Sequence, residues 1–273
     1  MRTSLKHTTL ANGQRVACVS SAEVQRVHDQ VQEYFRHGIE VRPGDIVFDV
    51  GANIGLFALE ACRRAEGRAT VYAFEPIPIT YQALRENAER YHREQLIPIQ
   101  QGLSDKVGSA RFAFYPLLSP MSTAYPADDF QHMGEVSMKV FDTPGSARSF
   151  AWMSLIPRPL RRTMIDFGLR VVLRPEWVTC QLNTLSNVLR ERQIDHIDLL
   201  KIDVEKAELD VLNGIAAEDW PKIRQVVVEV HDIAGRVAQV SDLLKRQGFA
   251  KIAQETEEDM TDFGVYTLYA RRS

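Results

Sequence analysis

The sequence predicts an α/β protein with a mostly parallel, Rossmann-like sheet, and three observations carry that prediction. Ile46-Val47-Phe48-Asp49-Val50 is a short, nearly continuous apolar run of the kind that a strand covered on both faces requires. A helical stretch at about 54–64 and a second strand at 70–75 follow it, and strand, helix, strand implies parallel pairing. Two later runs dense in Val, Ile and Leu, 197–203 and 225–230, read as further central strands.

The other elements follow in order. Asn12-Gly13 between two extended runs predicts a tight hairpin within 5–19, and a helix is expected over about 22–38. Residues 1–42 then form an extension of hairpin and helix, and Pro43-Gly44 opens the main domain, 43–273. Tyr81, Leu84, Ala88 and Tyr91 recur at spacings of three and four, which marks one face of a helix before a third strand near 97–101. A short strand is expected at 111–115. Thr184 suits the cap of a helix before 197–203, Leu209, Val211 and Leu212 suggest a helix after it, and 249–254 with 265–270 read as an antiparallel pair. The stretch 116–175 fits none of this periodicity and is expected to be a lid-like insertion. Between Arg148 and Arg174 it carries six arginines and a single acid, Asp166, beside Phe150, Trp152, Leu155 and Ile156. A solvated, partly helical cover accounts for that composition, and so does a lid that meets an acidic or phosphate-bearing partner.

Composition narrows the function. With 273 residues, 45% apolar and 25% charged, the chain can bury a sizeable core, and its net charge of −3 gives no basic field for nucleic acid. The polar start and the lack of any run near the roughly 20 apolar residues of a spanning helix predict a cytoplasmic protein with no membrane partner. Cys18, Cys62 and Cys180 lie far apart and read as small core residues.

The most informative stretch is Asp49-Val50-Gly51-Ala52-Asn53-Ile54-Gly55, at the carboxyl end of the first core strand, where open α/β sheets bind their ligands. Gly51 and Gly55 let the backbone turn sharply, and Asn53 tolerates a left-handed conformation. A dinucleotide turn of the G-x-G-x-x-G type would need glycines where the chain has Asn53 and Leu56, which disfavours a pyrophosphate. Asp49, Glu75, Asp105, Asp203 and Glu205 all fall at predicted strand ends, and carboxylates there attract a cation such as S-adenosylmethionine while repelling a diphosphate. Glu75 is placed for ribose hydroxyls, with Pro76 and Ile77 flanking the adenine. Its ordinary alternative is to cap the next helix, as Asp49's is to anchor the turn.

Residues 47–56, Phe74 to Pro76, Gly102 to Asp105 and Leu199-Leu200-Lys201-Ile202-Asp203-Val204-Glu205, followed by a Glu-Val-His strand, together resemble the FkbM family of methyltransferases. The resemblance implies a class I methyltransferase fold with a seven-stranded, mostly parallel sheet and an antiparallel C-terminal strand. It implies S-adenosylmethionine as donor and O-methylation of a natural-product or sugar hydroxyl. It also implies Asp49, Gly51, Ala52, Asn53 and Gly55 in the cofactor turn, Glu75 on the ribose, Ser104 and Asp105 near adenine, and Asp203 near the methionine amino group. The stretches 74–78 and 108–122 are similar to family members of polyketide and nonribosomal peptide assembly lines, which suggests a hydroxyl acceptor that is free or held on a carrier protein. One departure is Lys206, where the family usually has glycine.

An alcohol acceptor must lose its proton. Glu229 and His231 share one face of a strand, so His231 at its carboxyl end is the expected general base, with Glu229 or Asp203 orienting it. An ordinary histidine bonded to Glu229 is the alternative. A metal variant has Asp203, His231 and Asp232 as Mg²⁺ ligands. Tyr34 either closes over the site or simply packs. Competing readings are methylation of a sugar hydroxyl or a nitrogen, an NAD-dependent oxidoreductase, and a methyltransferase-like binding module without catalysis.

Overall fold

The computed structural model describes residues 4–22, 24–126, 156–256 and 264–272. Much of the predicted insertion, including Phe150, Trp152 and Leu155, lies outside the described residues.

The five expected core strands are β3 (Ile46–Val50), β4 (Thr70–Phe74), β5 (Leu96–Ile99), β9 (Ile197–Ile202) and β10 (Ile223–His231). All pair in parallel, and with β11 (Lys251–Glu255) and β12 (Val265–Arg271) they form one seven-stranded sheet in the order β11-β12-β10-β9-β3-β4-β5. β12 runs antiparallel to both of its neighbours. That strand order and the single reversed strand are the class I methyltransferase arrangement.

Period-two alternation sends neighbouring side chains to opposite faces. Val47, Val71, Leu199 and Val227 join a core on one face, beneath α2 (Leu56–Arg64) and α3 (Pro78–Tyr91). Phe48, Leu200 and Val228 join the core on the other face, with residues of α5 (Leu185–Arg192), α6 (Glu208–Asn213) and α7 (Arg236–Arg246). Each of these apolar side chains stabilises the fold by about 1.5–3 kcal/mol on burial. Thr184 caps α5 as expected, its hydroxyl accepting from Asn187 N at 3.1 Å.

The N-terminal hairpin, β1 (Lys6–Thr9) and β2 (Arg15–Cys18), lies against α3. Asn87 fastens it there: its Oδ1 accepts from Ala17 N at 2.7 Å, and its Nδ2 donates to the carbonyls of Ala17 and Ile54. The helix expected over 22–38 is shorter. α1 (Val24–Val31) passes into a 3-10 turn, Gln32–Phe35, and the positive φ of His37 and Gly38 ends the run. That turn carries Tyr34.

Several features were not legible in the sequence. The third strand ends at Ile99, and Gly102–Leu103 (β6) instead joins a separate three-stranded sheet with β8 (Glu176–Asn183) and β7 (Gly108–Phe114). β7 is longer than the expected 111–115, and β8 was not anticipated, because partial exposure on this side sheet breaks the apolar pattern. The partly helical cover expected of the insertion includes α4 (Arg158–Val172), a regular 15-residue helix. The amphipathic α7 also escaped the reading.

Candidate active site

The carboxyl ends of β3, β4, β9 and β10 open into a cavity of about 900 Å³. Of the predicted residues, Gly51, Ala52, Asn53, Glu75, Pro76, Ile77, Asp203, Glu229, His231 and Asp232 line it.

The turn after β3 is fixed by its backbone. Gly51 has φ +79°, and a Cβ there would lie 1.7 Å from the carbonyl oxygen of Asp203, so only glycine fits. Asn53 adopts φ +51°, the left-handed conformation expected of it. Glu75 locks the turn from the neighbouring strand: its Oε2 accepts from Asn53 N at 3.0 Å and its Oε1 from Ile77 N at 2.9 Å. Burial pushes its acid up to about 7, against the pull of those two amides. Glu75 therefore both ties the start of α3 and faces the cavity. Asn53 Oδ1, on a residue lining the same cavity, is buried without a hydrogen-bond partner.

Three expectations for this half are corrected. Asp49 is fully buried behind the turn and does not line the cavity; its Oδ1 sits 3.1 Å from Lys201 Nζ in an ion contact. Gly55 is likewise outside the lining; it is the left-handed residue preceding α2, with Leu84 where a Cβ would go. Ser104 and Asp105 are outside the lining too: Ser104 N donates to Asn183 O in the side sheet, and its hydroxyl donates to Asp105 Oδ1 at 3.2 Å.

Lys201, which the sequence reading left without a role, connects the two halves. It is the register partner of Asp49 across β3 and β9, donates to Gly51 O at 3.1 Å and lies 3.4 Å from Asp203. Burial works against its charge, but Asp49 and Asp203 outweigh it and hold the ammonium above its ordinary value. Two charged residues interrupting apolar runs in adjacent strands are the signal that could have revealed this pair.

The second half is a cluster of acids around His231. The imidazole Nδ1 lies 2.8 Å from Glu208 and Nε2 lies 3.1 Å from Glu205. Burial opposes its charge, yet the bonds to Glu205 and Glu208 raise it to about 11. With both nitrogens engaged and the ring protonated, His231 has no lone pair for an acceptor proton at neutral pH, which corrects the general-base expectation. Glu229 does not bond to it either. Tyr34 Oη lies 3.1 Å from Glu229 Oε2 and 3.1 Å from Asp203 Oδ2, so the N-terminal extension completes the site.

The Mg²⁺ set is not assembled: no group of three or more His, Cys, Asp or Glu among the described residues could hold a metal ion. His231 is spent on two carboxylates, and Asp232 Oδ1 accepts from Val237 N instead. At the Lys206 departure, Glu205 and Lys206 have φ +38° and +75°, which is why glycine suits this turn. Glu208 holds it by accepting from Lys206 N at 2.8 Å, and Arg236 donates to Lys206 O.

Among the described residues no helix is long and apolar enough to cross a membrane. A family model described as "Methyltransferase FkbM domain" matches residues 49–157 and 171–251. The chain is 41% identical over 90% of its length to "31-O-demethyl-FK506 methyltransferase FkbM" of Streptomyces tacrolimicus, covering 89% of that protein. It is 37% identical over 96% of its length to "AMB antimetabolite synthetase AmbE" of Pseudomonas aeruginosa, of which it spans 12%. "Methyltransferase sdnD" of Sordaria araneosa is 31% identical over 93% of the chain and 92% of that protein.

Proposed function

The chain belongs to the FkbM methyltransferase family, and from that premise we propose that it methylates a hydroxyl of a polyketide- or peptide-type natural-product intermediate, using S-adenosylmethionine. When bound, the donor supplies an electrophilic methyl group on a sulfonium whose departure leaves a neutral thioether.

The observation that carries the reading is the chemistry of the donor set. Glu75, Asp203 and Glu205 line one cavity that is floored by a glycine turn too tight for any side chain. That acidic lining suits a guest with ammonium and sulfonium groups and would repel a dinucleotide's diphosphate. Glu75 would accept from the ribose hydroxyls, Pro76 and Ile77 would flank the adenine, and Asp203 would hold the ammonium. Asn53 Oδ1 offers a further unspent polar atom.

On the acceptor side, Val27, Val31, Phe112, Leu118, Met121 and Ile233 give the cavity apolar walls, which favour an aliphatic or aromatic acceptor over a sugar. Glu205 takes the hydroxyl proton in this reading. Burial raises its acid against the pull of His231, with Asp203 and Glu208 adding to the rise, so it binds a proton more readily than an exposed glutamate. Protonated His231 orients it. Positioning of the two reactants accounts for much of the remaining acceleration.

Methyl transfer from tritiated S-adenosylmethionine to free and carrier-bound hydroxyl compounds tests the proposal. Label on an acceptor oxygen supports it, and the two arms identify how the acceptor is delivered. Binding of NAD in place of S-adenosylmethionine, or label on nitrogen alone, would overturn it.

A further inference from the structure

Tyr34 has one hydroxyl hydrogen, yet two carboxyl oxygens lie 3.1 Å from its Oη. It donates to only one of them at a time. The second contact is favourable only if that other carboxyl carries a proton and donates to Tyr34 in turn. Buried acceptors facing each other without a hydrogen between them cost more than the bond is worth.

The surroundings decide which carboxyl that is. Asp203 has the Lys201 ammonium 3.4 Å away and is the more exposed of the two, so it keeps the negative charge. Glu229 is buried, and Tyr34 is the hydrogen-bonding side chain that reaches its carboxyl. The charged groups facing Glu229 are Asp203 and Glu205 from the loop after β9, Lys201 from β9 itself and His231 from β10. His231 is already held by Glu205 and Glu208. β12 sets the uncharged Thr267 opposite it.

We infer that Tyr34 is a positioning residue that fixes Asp203 through a directed chain, Glu229 to Tyr34 to Asp203, in which Glu229 carries the proton. Burial and the two neighbouring acids agree with this, since they push the Glu229 acid up to about 8. The chain places the N-terminal extension in the active site: the hairpin fastened by Asn87 and the 3-10 turn deliver the hydroxyl that holds Asp203's carboxylate. The Tyr34 ring packs edge-on against Phe57, so its aim is set by the core and not by the ligand.

The effect of this chain on the cofactor rests on the methyl-transfer reading above, whereas the proton assignment does not. Two measurements keep them apart. Infrared difference spectra of the parent against Glu229→Gln, at about pH 7, are expected to contain a protonated-carboxyl C=O band that titrates away near pH 8. No such band in the difference would overturn the chain. In calorimetry with S-adenosylhomocysteine, Tyr34→Phe is expected to weaken binding about tenfold, the scale of one hydrogen bond to a charged group, with little change in Tm because the ring remains. Unchanged affinity in a folded Tyr34→Phe would overturn the positioning role. If the parent itself binds no S-adenosylhomocysteine, the cofactor reading fails and the infrared band alone decides the chain.

Discussion

The two halves of the cavity are built on different physics. At the ends of β3 and β4 the shape is backbone: Gly51 rests against the Asp203 carbonyl, Asn53 takes a left-handed turn, and Glu75 pins two amides. At the ends of β9 and β10 the shape is an arrangement of charges and protons: Glu205, Glu208, Glu229 and Asp203 around a protonated His231, a buried Lys201 and one tyrosine hydroxyl. The glycine turn fails on a single added methyl group. The proton network fails on a change of charge at one of its members.

The sharpest break in that contrast is Gly51→Ala. Its Cβ would clash with Asp203 O in a φ > 0 conformation, so we expect a loss of about 3 kcal/mol or more in thermal denaturation and no cofactor binding in calorimetry. Next comes His231→Ala, which leaves Glu205 and Glu208 facing each other without their cation. It is expected to cost about 3 kcal/mol in denaturant titration. A fully stable His231→Ala that merely loses turnover, with a pH–rate limb between pH 5 and 8 in the parent, would restore the histidine as base.

Glu75→Ala frees two buried amides. We expect about 2 kcal/mol of destabilisation and at least about tenfold weaker S-adenosylmethionine binding, both seen in one ligand-dependent Tm series. A smaller effect is one of pH. The acid of Glu229 rises from an ordinary 4.5 to about 8 on folding, so its contribution is fully present below about pH 4.5 and is lost as pH rises through about 8. Tm should therefore decline across that window in the parent and decline less in Glu229→Gln. An identical slope in both would place the ionisation elsewhere. Smallest is Lys206→Gly, which relieves a left-handed lysine and is expected to gain up to about 1 kcal/mol in denaturant titration.

The backbone half was legible because its constraints are local. A continuous apolar strand, two glycines and a tolerant asparagine within seven residues specify a turn whatever surrounds it, and Thr184 capped its helix for the same reason. Gly55, Asp49, Ser104 and Asp105 were assigned to the cofactor by the family motif, but the motif does not say which side of the strand end faces the cavity. The side-sheet strand 176–183 was missed because an exposed, partly polar face gives no clean alternation.

What the sequence by itself determined is the order of the five parallel core strands, the glycine turn and the acidic character of the strand ends, because periodicity, conformational freedom and formal charge are properties of short stretches. Only the tertiary structure decided what the acids do. The partner of His231 is Glu205 with Glu208 and not Glu229, and Tyr34 meets Asp203 across 169 residues of chain. Protonation in a buried cluster depends on which charges lie within a few ångströms, and that distance is set by packing between segments far apart in the chain.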